Sequence, residues 1–347
     1  MSYSAEMILR LREEKKEMRN RDFAASIGIS EAEFIAAYCS IGKAKRLQAN
    51  VTALLENAPK VGEVMALTRN EGAVHEKTGH FENIIYDQHV PLTLGEIDLR
   101  IFPKQWKFGF EYEMTVLGKS MKSLQFFDQH GVAIFKIFSQ DATNMNEWNI
   151  LVEKLLNDDQ SSVLDVLPSL APIQNDAMEV DFRELRDRLQ KTSNMSQLRA
   201  IFSEFKVRQH DVAKHIANEF TDELQRESVD VMLNKVLQQD IPITCIVGNK
   251  GCIQKFAGKV ESVKSMGPWI NILNQKFHLH LLVSEIDKVQ RVRKPTHDNY
   301  ISALEAFDRN GEMVIQFFSM QQKNERERED WRSLLDNLPL YQETAVA

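Results

Sequence analysis

The sequence predicts an α+β fold made of two similar halves, and three observations support this prediction. Short motifs recur: Asn70-Glu71-Gly72 returns as Asn249-Lys250-Gly251, and the Phe-Asp-x-x-Gly stretch 127–131 returns at 307–311. The copies stand 179 and 180 residues apart. Each half also passes from helical periodicity through short β-branched and aromatic segments back to helix. A repeat this long, far above the ~20–50 residues of a solenoid unit, indicates a duplicated domain.

The first repeat, residues 1–157, begins with helical periodicity over 5–57. Gly28 followed by Ser30 indicates a helix end and a new N-cap. Residues 64–138 then read as antiparallel strands separated by turn residues, and 145–156 read as a closing helix.

Residues 158–179 are polar, contain two prolines and form the predicted linker. The second repeat, residues 180–347, repeats the order, with helical periodicity over 180–238, strands over 242–320 and a closing helix over 324–338. Each half is therefore predicted to be a large antiparallel β-meander sheet with flanking helices.

Composition excludes several classes of protein. The 347 residues have a formal net charge of −7, which disfavours nucleic acid as a partner. Three cysteines form no disulfide framework and suit a reducing compartment. Neither a signal-peptide pattern nor a run of ~20 apolar residues is present. We expect a cytoplasmic protein without membrane insertion.

Few residues suggest catalysis or metal binding on their own. Common nucleophile, phosphate-loop and zinc motifs are missing. His278 and His280 would share one face of a strand, so they form either a two-histidine metal site or an ordinary pair of half-buried strand histidines.

The residue pattern of 23–34 is typical of a DNA-binding helix-turn-helix. The second helix, however, is acidic at Glu31 and Glu33, whereas phosphate contacts require Lys or Arg. The alternative is a helical hairpin that packs on the sheet.

The whole chain resembles the bacterial haemin-degrading factors, the HemS/HmuS/ChuS-type haem-utilisation proteins. Their order and spacing of motifs are kept throughout. The resemblance rests on residues 69–76, 98–102, 105–106 and 125–128 in the first half, and on 247–252, 269–272, 277–282 and 293–296 in the second.

The resemblance implies that haem is the ligand or substrate, held in a cleft on the side of the second half. Arg100 matches the distal arginine, which makes it the candidate catalytic residue, and Phe102 matches an aromatic residue of the pocket. Lys294 and Gln316 match polar groups around the porphyrin edge and propionates, and His75 matches a proposed secondary haem site.

The departures from the family pattern concentrate at the haem. The expected proximal histidine falls on Ser196, and a hydroxyl is a poor iron ligand compared with imidazole. Met195, His210 and His215 are alternative ligands. Three further pocket positions, an arginine, a tyrosine and an arginine in the family, read Gln209, Phe318 and Gln321.

Two functions follow from the resemblance. The protein either binds haem taken up by the cell and traffics or oxidatively degrades it for iron acquisition, or it is a non-catalytic relative with weakened haem ligation that acts as a binding or regulatory module. A haem uptake transporter or a haem oxygenase is the expected partner, and whether the protein is an enzyme is left open.

Overall fold

The computed structural model describes residues 3–86, 90–116, 118–168, 181–190, 201–202, 204–205, 207, 220–295, 300–321 and 325–342. Helices accompany two large antiparallel sheets, which confirms the α+β prediction. The chain divides into two compact units. The first unit comprises Met1–Arg69, His75–Leu170 and Gly248–Gln254, and the second comprises Asn70–Val74, Ala171–Val247 and Lys255–Ala347.

The first unit contains an antiparallel run of five strands and a smaller run of three. The five strands, in order across the sheet, are β1 (Ala44–Leu47), β7 (Phe108–Val116), β8 (Lys119–Phe127), β9 (Ala133–Thr143) and β2 (Gly62–Arg69). The smaller run consists of β4 (Ile84–Ile85), β5 (Leu92–Thr93) and β6 (Asp98–Ile101). The helices are α1 (Ala5–Glu14), α2 (Asn20–Ser26), α3 (Glu31–Ala37), α4 (Val51–Asn57) and α5 (Met145–Leu155).

The second unit repeats this arrangement. Its five strands, in order, are β10 (Thr221–Leu224), β16 (Lys288–Pro295), β17 (Tyr300–Phe307), β18 (Met313–Ser319) and β11 (Ile243–Gly248). The smaller run consists of β13 (Val263–Met266), β14 (Trp269–Leu273) and β15 (Phe277–Leu282). The helices are α6 (Phe182–Gln190), α7 (Ser228–Gln238) and α8 (Glu329–Asp336).

Two short strands correct the purely helical predictions for 5–57 and 180–238. Residues Ala44–Leu47 form β1, which pairs with β7, and Thr221–Leu224 form β10, which pairs with β16. Helical periodicity could not show them, because a strand of four residues gains its hydrogen bonds from its neighbour and not from its own sequence.

The strand β9 and its counterpart β18 follow the same hydrogen-bonded turn. In the first unit, Asp128 Oδ1 accepts hydrogen bonds from the backbone N of His130 and Val132, at 2.8 and 2.9 Å. In the second, Asp308 Oδ1 accepts from Asn310 and Glu312, both at 2.8 Å. These Asx turns explain why the Phe-Asp-x-x-Gly sequence occurs twice.

Each unit has a core between its sheet and its closing helix. Helix α5 buries Trp148, Leu151, Val152 and Leu155, whose spacing places them on one helical face. Helix α8 buries Trp331, Leu334 and Leu335 in the same way. The indole of Trp148 donates to Glu111 Oε1 at 2.9 Å, and that of Trp331 donates to the carbonyl of Ser302 at 3.1 Å.

Each unit also incorporates a hairpin segment from the other repeat. These two segments contain the start of β3 (Ala73–Gly79) and of β12 (Cys252–Gly258). In the first unit, Asn249 Nδ2 donates to the carbonyls of Arg69 and Ile134, at 2.9 and 2.8 Å. In the second, Asn70 Nδ2 donates to the carbonyl of Val314 at 2.8 Å. The repeated Asn-x-Gly turn is therefore a tertiary contact as well as a turn. A division of the chain into two continuous halves at residues 158–179 does not describe these exchanged segments.

The N-terminal helices cover one face of the five-stranded run in the first unit. Ser30 caps α3, and its side chain and that of Glu33 form a capping box. Six of the seven residues of α3 are buried. The prediction of a helical hairpin packed on the sheet is therefore confirmed, and α3 has no exposed face that would fit a DNA groove.

Candidate functional site

A row of polar side chains crosses the five-stranded run of the second unit. Glu305 on β17 is in register with Gln290 on β16 and with Gln316 on β18. Lys294 lies four residues from Gln290 on the same strand, so alternation places it on the same face. The opposite face carries the apolar core residues Leu304 and Phe317. The sheet therefore has one apolar face and one face, here called the polar face, on which polar side chains stand among apolar ones.

Lys294 and Glu305 are the centre of this polar face. They form an ion pair between side chains that are 1% and 0% exposed. Gln316 Nε2 donates to Glu305 Oε1 at 2.6 Å, and the Lys294 ammonium lies 4.9 Å from the centre of the Phe318 ring. The structure thus brings together Lys294 and Gln316, two of the residues that the sequence analysis selects, and adds Glu305.

Glu305 is not among the candidate site residues predicted from the sequence. An acidic residue in the apolar strand Tyr300–Phe307 is a usable signal, because a buried carboxylate requires a cation or hydrogen-bond donors. Its partner Lys294 comes from a different strand, and the register that joins them is a property of the folded sheet.

Two buried hydrogen-bond donors of the second unit have no hydrogen-bond partner among the described residues. These atoms are Thr221 Oγ1 and Gln321 Nε2. Thr221 is in register with Val292, which shares the face of Lys294, and Gln321 follows the end of β18. Buried polar groups normally have hydrogen-bond partners. A buried donor without one is therefore suited to bind an acceptor atom of a ligand.

The equivalent face in the first unit is closed. Gln125 and Lys136, each 180 residues before Glu305 and Gln316, are in register on β8 and β9. Lys136 Nζ donates to Glu31 Oε1 of α3 at 2.5 Å, and both side chains are buried. Burial alone would raise the pKa of Glu31, but the Lys136 ammonium outweighs it and holds that pKa below its usual value. Helix α3 therefore occupies this face.

Three other predicted site residues lie in the first unit. Arg100 is exposed on β6, and no described residue forms an ion pair with it. Phe102 is half-buried, and its backbone N donates to the carbonyl of Gly251 at 3.0 Å. His75 on β3 is 0% exposed, and burial lowers its pKa to about 3, which keeps the imidazole neutral.

The predicted axial-ligand positions lie outside the described residues. These positions are Met195, Ser196, His210 and His215, and the predicted pocket position Gln209 also lies outside the described residues.

The described part of the second unit also lines an open cleft of about 830 Å³. Charged residues of both signs dominate its lining, and Arg226 forms an ion pair with Asp287 at 3.0 Å there. A flat apolar ligand is poorly matched to such a lining.

Comparisons with known proteins identify the family of the chain. Two stretches, 28–155 and 206–338, match the family model described as the haemin-degrading HemS.ChuX domain. The chain belongs to this family. It is 32% identical to the hemin transport protein HemS of Yersinia enterocolitica over 331 residues, which are 92% of each chain. The double match confirms the duplication.

Solved structures of the family are similar over almost the whole chain. Holo-PhuS, a heme-binding protein from Pseudomonas aeruginosa, matches with a TM-score of 0.92 at 31% identity, covering 98% of this chain and 100% of its own. ChuS, an E. coli heme oxygenase, matches with a TM-score of 0.85 at 28% identity, covering 95% and 98%. No helix among the described residues is long and apolar enough to cross a membrane.

The polar face of the second unit fits a haem group in its chemistry. Haem combines a flat apolar ring with two carboxylates. The face carries apolar side chains at Val292 and Phe318, and the hydroxyl of Thr221 is a donor without a described partner that could bind a carboxylate. Lys294 contributes the cation, although Glu305 already neutralises it.

Proposed function

We propose that the protein binds haem in the cytoplasm and delivers it onward during haem utilisation. The observation that supports the proposal best is the similarity of 98% of the chain, at a TM-score of 0.92, to a haem-bound relative. Bound haem would supply iron-centred redox chemistry, and the residues of this chain would hold, orient and shield it.

The polar face of the second unit is the proposed haem-contacting surface. Phe318 would pack against the ring plane, and Gln321 would donate a hydrogen bond to a propionate. Lys294 would attract the propionates, and Gln316 would keep Glu305 turned towards the ammonium. In the first unit, the exposed Arg100 and the half-buried Phe102 are separate proposed contributors, assigned by the resemblance and tested individually.

The residues at the expected haem-contacting positions favour delivery of haem over its retention. Ser196 replaces an imidazole with a hydroxyl, which is a weaker ligand for haem iron. Gln209 and Gln321 replace two cations, and each lost charge-assisted contact to a propionate removes about 1.5–3 kcal/mol of interaction. Weaker contacts raise the dissociation rate, which suits a protein that passes its ligand on.

A haemin titration followed by absorbance tests the binding. We expect a saturable change in the Soret band at one haem per chain in the micromolar range. Arg100→Ala and Phe318→Ala should each weaken binding, whereas Lys259→Ala should leave it unchanged, because Lys259 is exposed and pairs with Asp240 at the surface. A Soret band that does not saturate, or that none of these substitutions affects, would refute the proposal.

Restoring an imidazole tests the placement of the ligand. Ser196→His should convert the absorption spectrum to a histidine-ligated type and tighten haem binding, and Ser196→Ala should change neither property. If the spectrum of Ser196→His matches that of the unmodified protein, position 196 is not proximal to the iron.

Oxidative degradation is the second candidate function, since the ChuS structure is described as a heme oxygenase and resembles this chain over 95% of its length. Haem-loaded protein supplied with oxygen and a reductant distinguishes the two. Loss of the Soret band with formation of a bile-pigment absorption would establish degradation. A preserved Soret band, followed by transfer of haem to apomyoglobin, would establish delivery.

A further inference from the structure

Two histidines on strand β15 form a pair outside the proposed haem surface. His278 and His280 alternate with Phe277, Leu279 and Leu281, which belong to the core of the second unit. Their imidazoles therefore lie on the opposite face of the strand, and both side chains are half-buried. The ring centroids are 6.2 Å apart, and a ring nitrogen of His278 lies within 4.8 Å of one of His280.

This spacing is close to that of a two-imidazole chelate. Two nitrogens that each bind one zinc ion at 2.0–2.1 Å stand about 3.4 Å apart in tetrahedral geometry. The hydrogen-bonded strand backbone holds both Cα atoms in place. Binding of the ion therefore restricts only the motion of the two side chains.

A neighbouring amide orients one of the two rings. Asn271 on β14 is in register with His280, and its Oδ1 lies 2.6 Å from His280 Nδ1. The amide nitrogen of Asn271 donates to the carbonyls of Lys264 and Trp269, at 2.9 and 3.4 Å. These two bonds determine which end of the amide faces His280, and an amide oxygen can only accept.

The hydrogen bond therefore assigns the tautomer of the neutral His280. Nδ1 carries the proton, so the lone pair lies on Nε2. Histidine ligands of metals commonly donate their other ring N–H to an oxygen in this way, which orients the ring and raises its basicity. Asn271 is 4% exposed and so is itself held rigidly.

We propose that His278 and His280 bind one divalent transition-metal ion of the class that prefers imidazole, such as Zn²⁺, Cu²⁺ or Ni²⁺. Both side chains act as ligands through ring nitrogens, and binding replaces the hydrogen bonds that those nitrogens otherwise make. Asn271 is a positioning residue, because it acts through His280. The site is independent of haem and goes beyond the proposed function.

Calorimetric titration of the untagged, haem-free full chain with Zn²⁺ or Cu²⁺ tests the site. We expect one class of sites at one ion per chain, lost or weakened at least about tenfold in His278→Ala and in His280→Ala. Asn271→Ala should weaken binding by about 10–100-fold, the usual effect of removing the partner of a metal-bound histidine. His130→Ala, a histidine of the first unit, should bind the metal unchanged.

Electron paramagnetic resonance of the Cu²⁺-loaded protein gives a second readout. Hyperfine structure from two imidazole nitrogens should appear and should fall to one nitrogen in His278→Gln, a variant that keeps a polar side chain on the half-buried face. If the affinity and the copper spectrum of His278→Gln equal those of the unmodified protein, the ion is bound elsewhere and the proposal is wrong. Unchanged metal affinity in the His278→Ala variant would refute it equally.

Discussion

Lys294 and Glu305 form an ion pair that is almost completely buried in the second unit. Taking two charges out of water is costly, so such a pair persists only when the geometry is good and further hydrogen bonds satisfy the remaining atoms. Gln316 and the ring of Phe318 provide these contacts. Lys294, which the resemblance assigns to haem binding, is thus also a buried structural residue of the sheet.

We predict that breaking this pair is costly and that removing both charges is not. Lys294→Met leaves Glu305 charged and buried, and should lower the free energy of unfolding by about 3–5 kcal/mol. The double variant Lys294→Met/Glu305→Leu should recover most of this loss. Urea denaturation of the single and double variants, followed by circular dichroism, measures the coupling between the two residues.

The exposed pair Lys259–Asp240 provides the control for this cycle. Both side chains are more than half exposed, and removal of either should cost less than about 1 kcal/mol. Additive losses in Lys294→Met and Glu305→Leu, with no recovery in the double variant, would contradict a direct interaction.

Asn249 belongs to the second repeat but should stabilise the first unit, and Asn70 belongs to the first repeat but should stabilise the second unit. Asn249→Ala removes four side-chain hydrogen bonds in the first unit, two donated to carbonyls and two accepted from the backbone N–H of Gly251 and Cys252. Each part-buried carbonyl left without its donor costs at most about 1–3 kcal/mol. Hydrogen exchange measured by mass spectrometry should show faster exchange in β9. Asn70→Ala, its matched counterpart, should instead affect β18 through the carbonyl of Val314. Faster exchange confined to the repeat that carries the substitution would contradict the exchange of segments.

His75 should make the first unit sensitive to acid. Its ordinary pKa of 6.5 falls to about 3 in the folded protein, so between these values the unfolded chain takes up a proton that the folded chain does not. Unfolding is then favoured as the pH falls, and at pH 5 the loss of stability from this residue is about 2 kcal/mol. Denaturation midpoints measured from pH 7.5 to 5 should fall less steeply in His75→Gln, whereas His130→Gln should follow the unmodified protein.

Gln321→Arg should tighten haem binding if Gln321 faces a propionate. The cation would convert a neutral hydrogen bond into a charge-assisted one, a gain of about 1 kcal/mol or somewhat more, equivalent to roughly a tenfold lower Kd. The gain should diminish at high salt because dissolved ions screen the attraction between the guanidinium and the propionate. Haemin titration at two salt concentrations measures it, with Gln321→Met as the uncharged control. Equal affinity of the arginine and methionine variants would place residue 321 away from the carboxylates.

The sequence predicts the duplication well because both repeats keep the same turns. The Asp128 and Asp308 side chains form the same local hydrogen bonds, and Trp148 and Trp331 are buried by the same helical spacing. Such local and periodic features are encoded within a few residues, so they can be read from the order of amino acids. The strands β1 and β10 were missed because their partners are distant in sequence.

The sequence by itself therefore determines that the chain has two α+β repeats, that it resembles haem-utilisation proteins, and that Lys294 and Gln316 are candidate ligand contacts. Only the tertiary structure decides that Glu305 stands between those two residues, that Asn249 stabilises the first unit and Asn70 the second, and that α3 closes on Lys136 in the first unit. The reason is physical. Turns and helix faces arise from neighbouring residues, whereas a buried ion pair or an exchanged hairpin depends on strand register, which joins residues far apart in the chain.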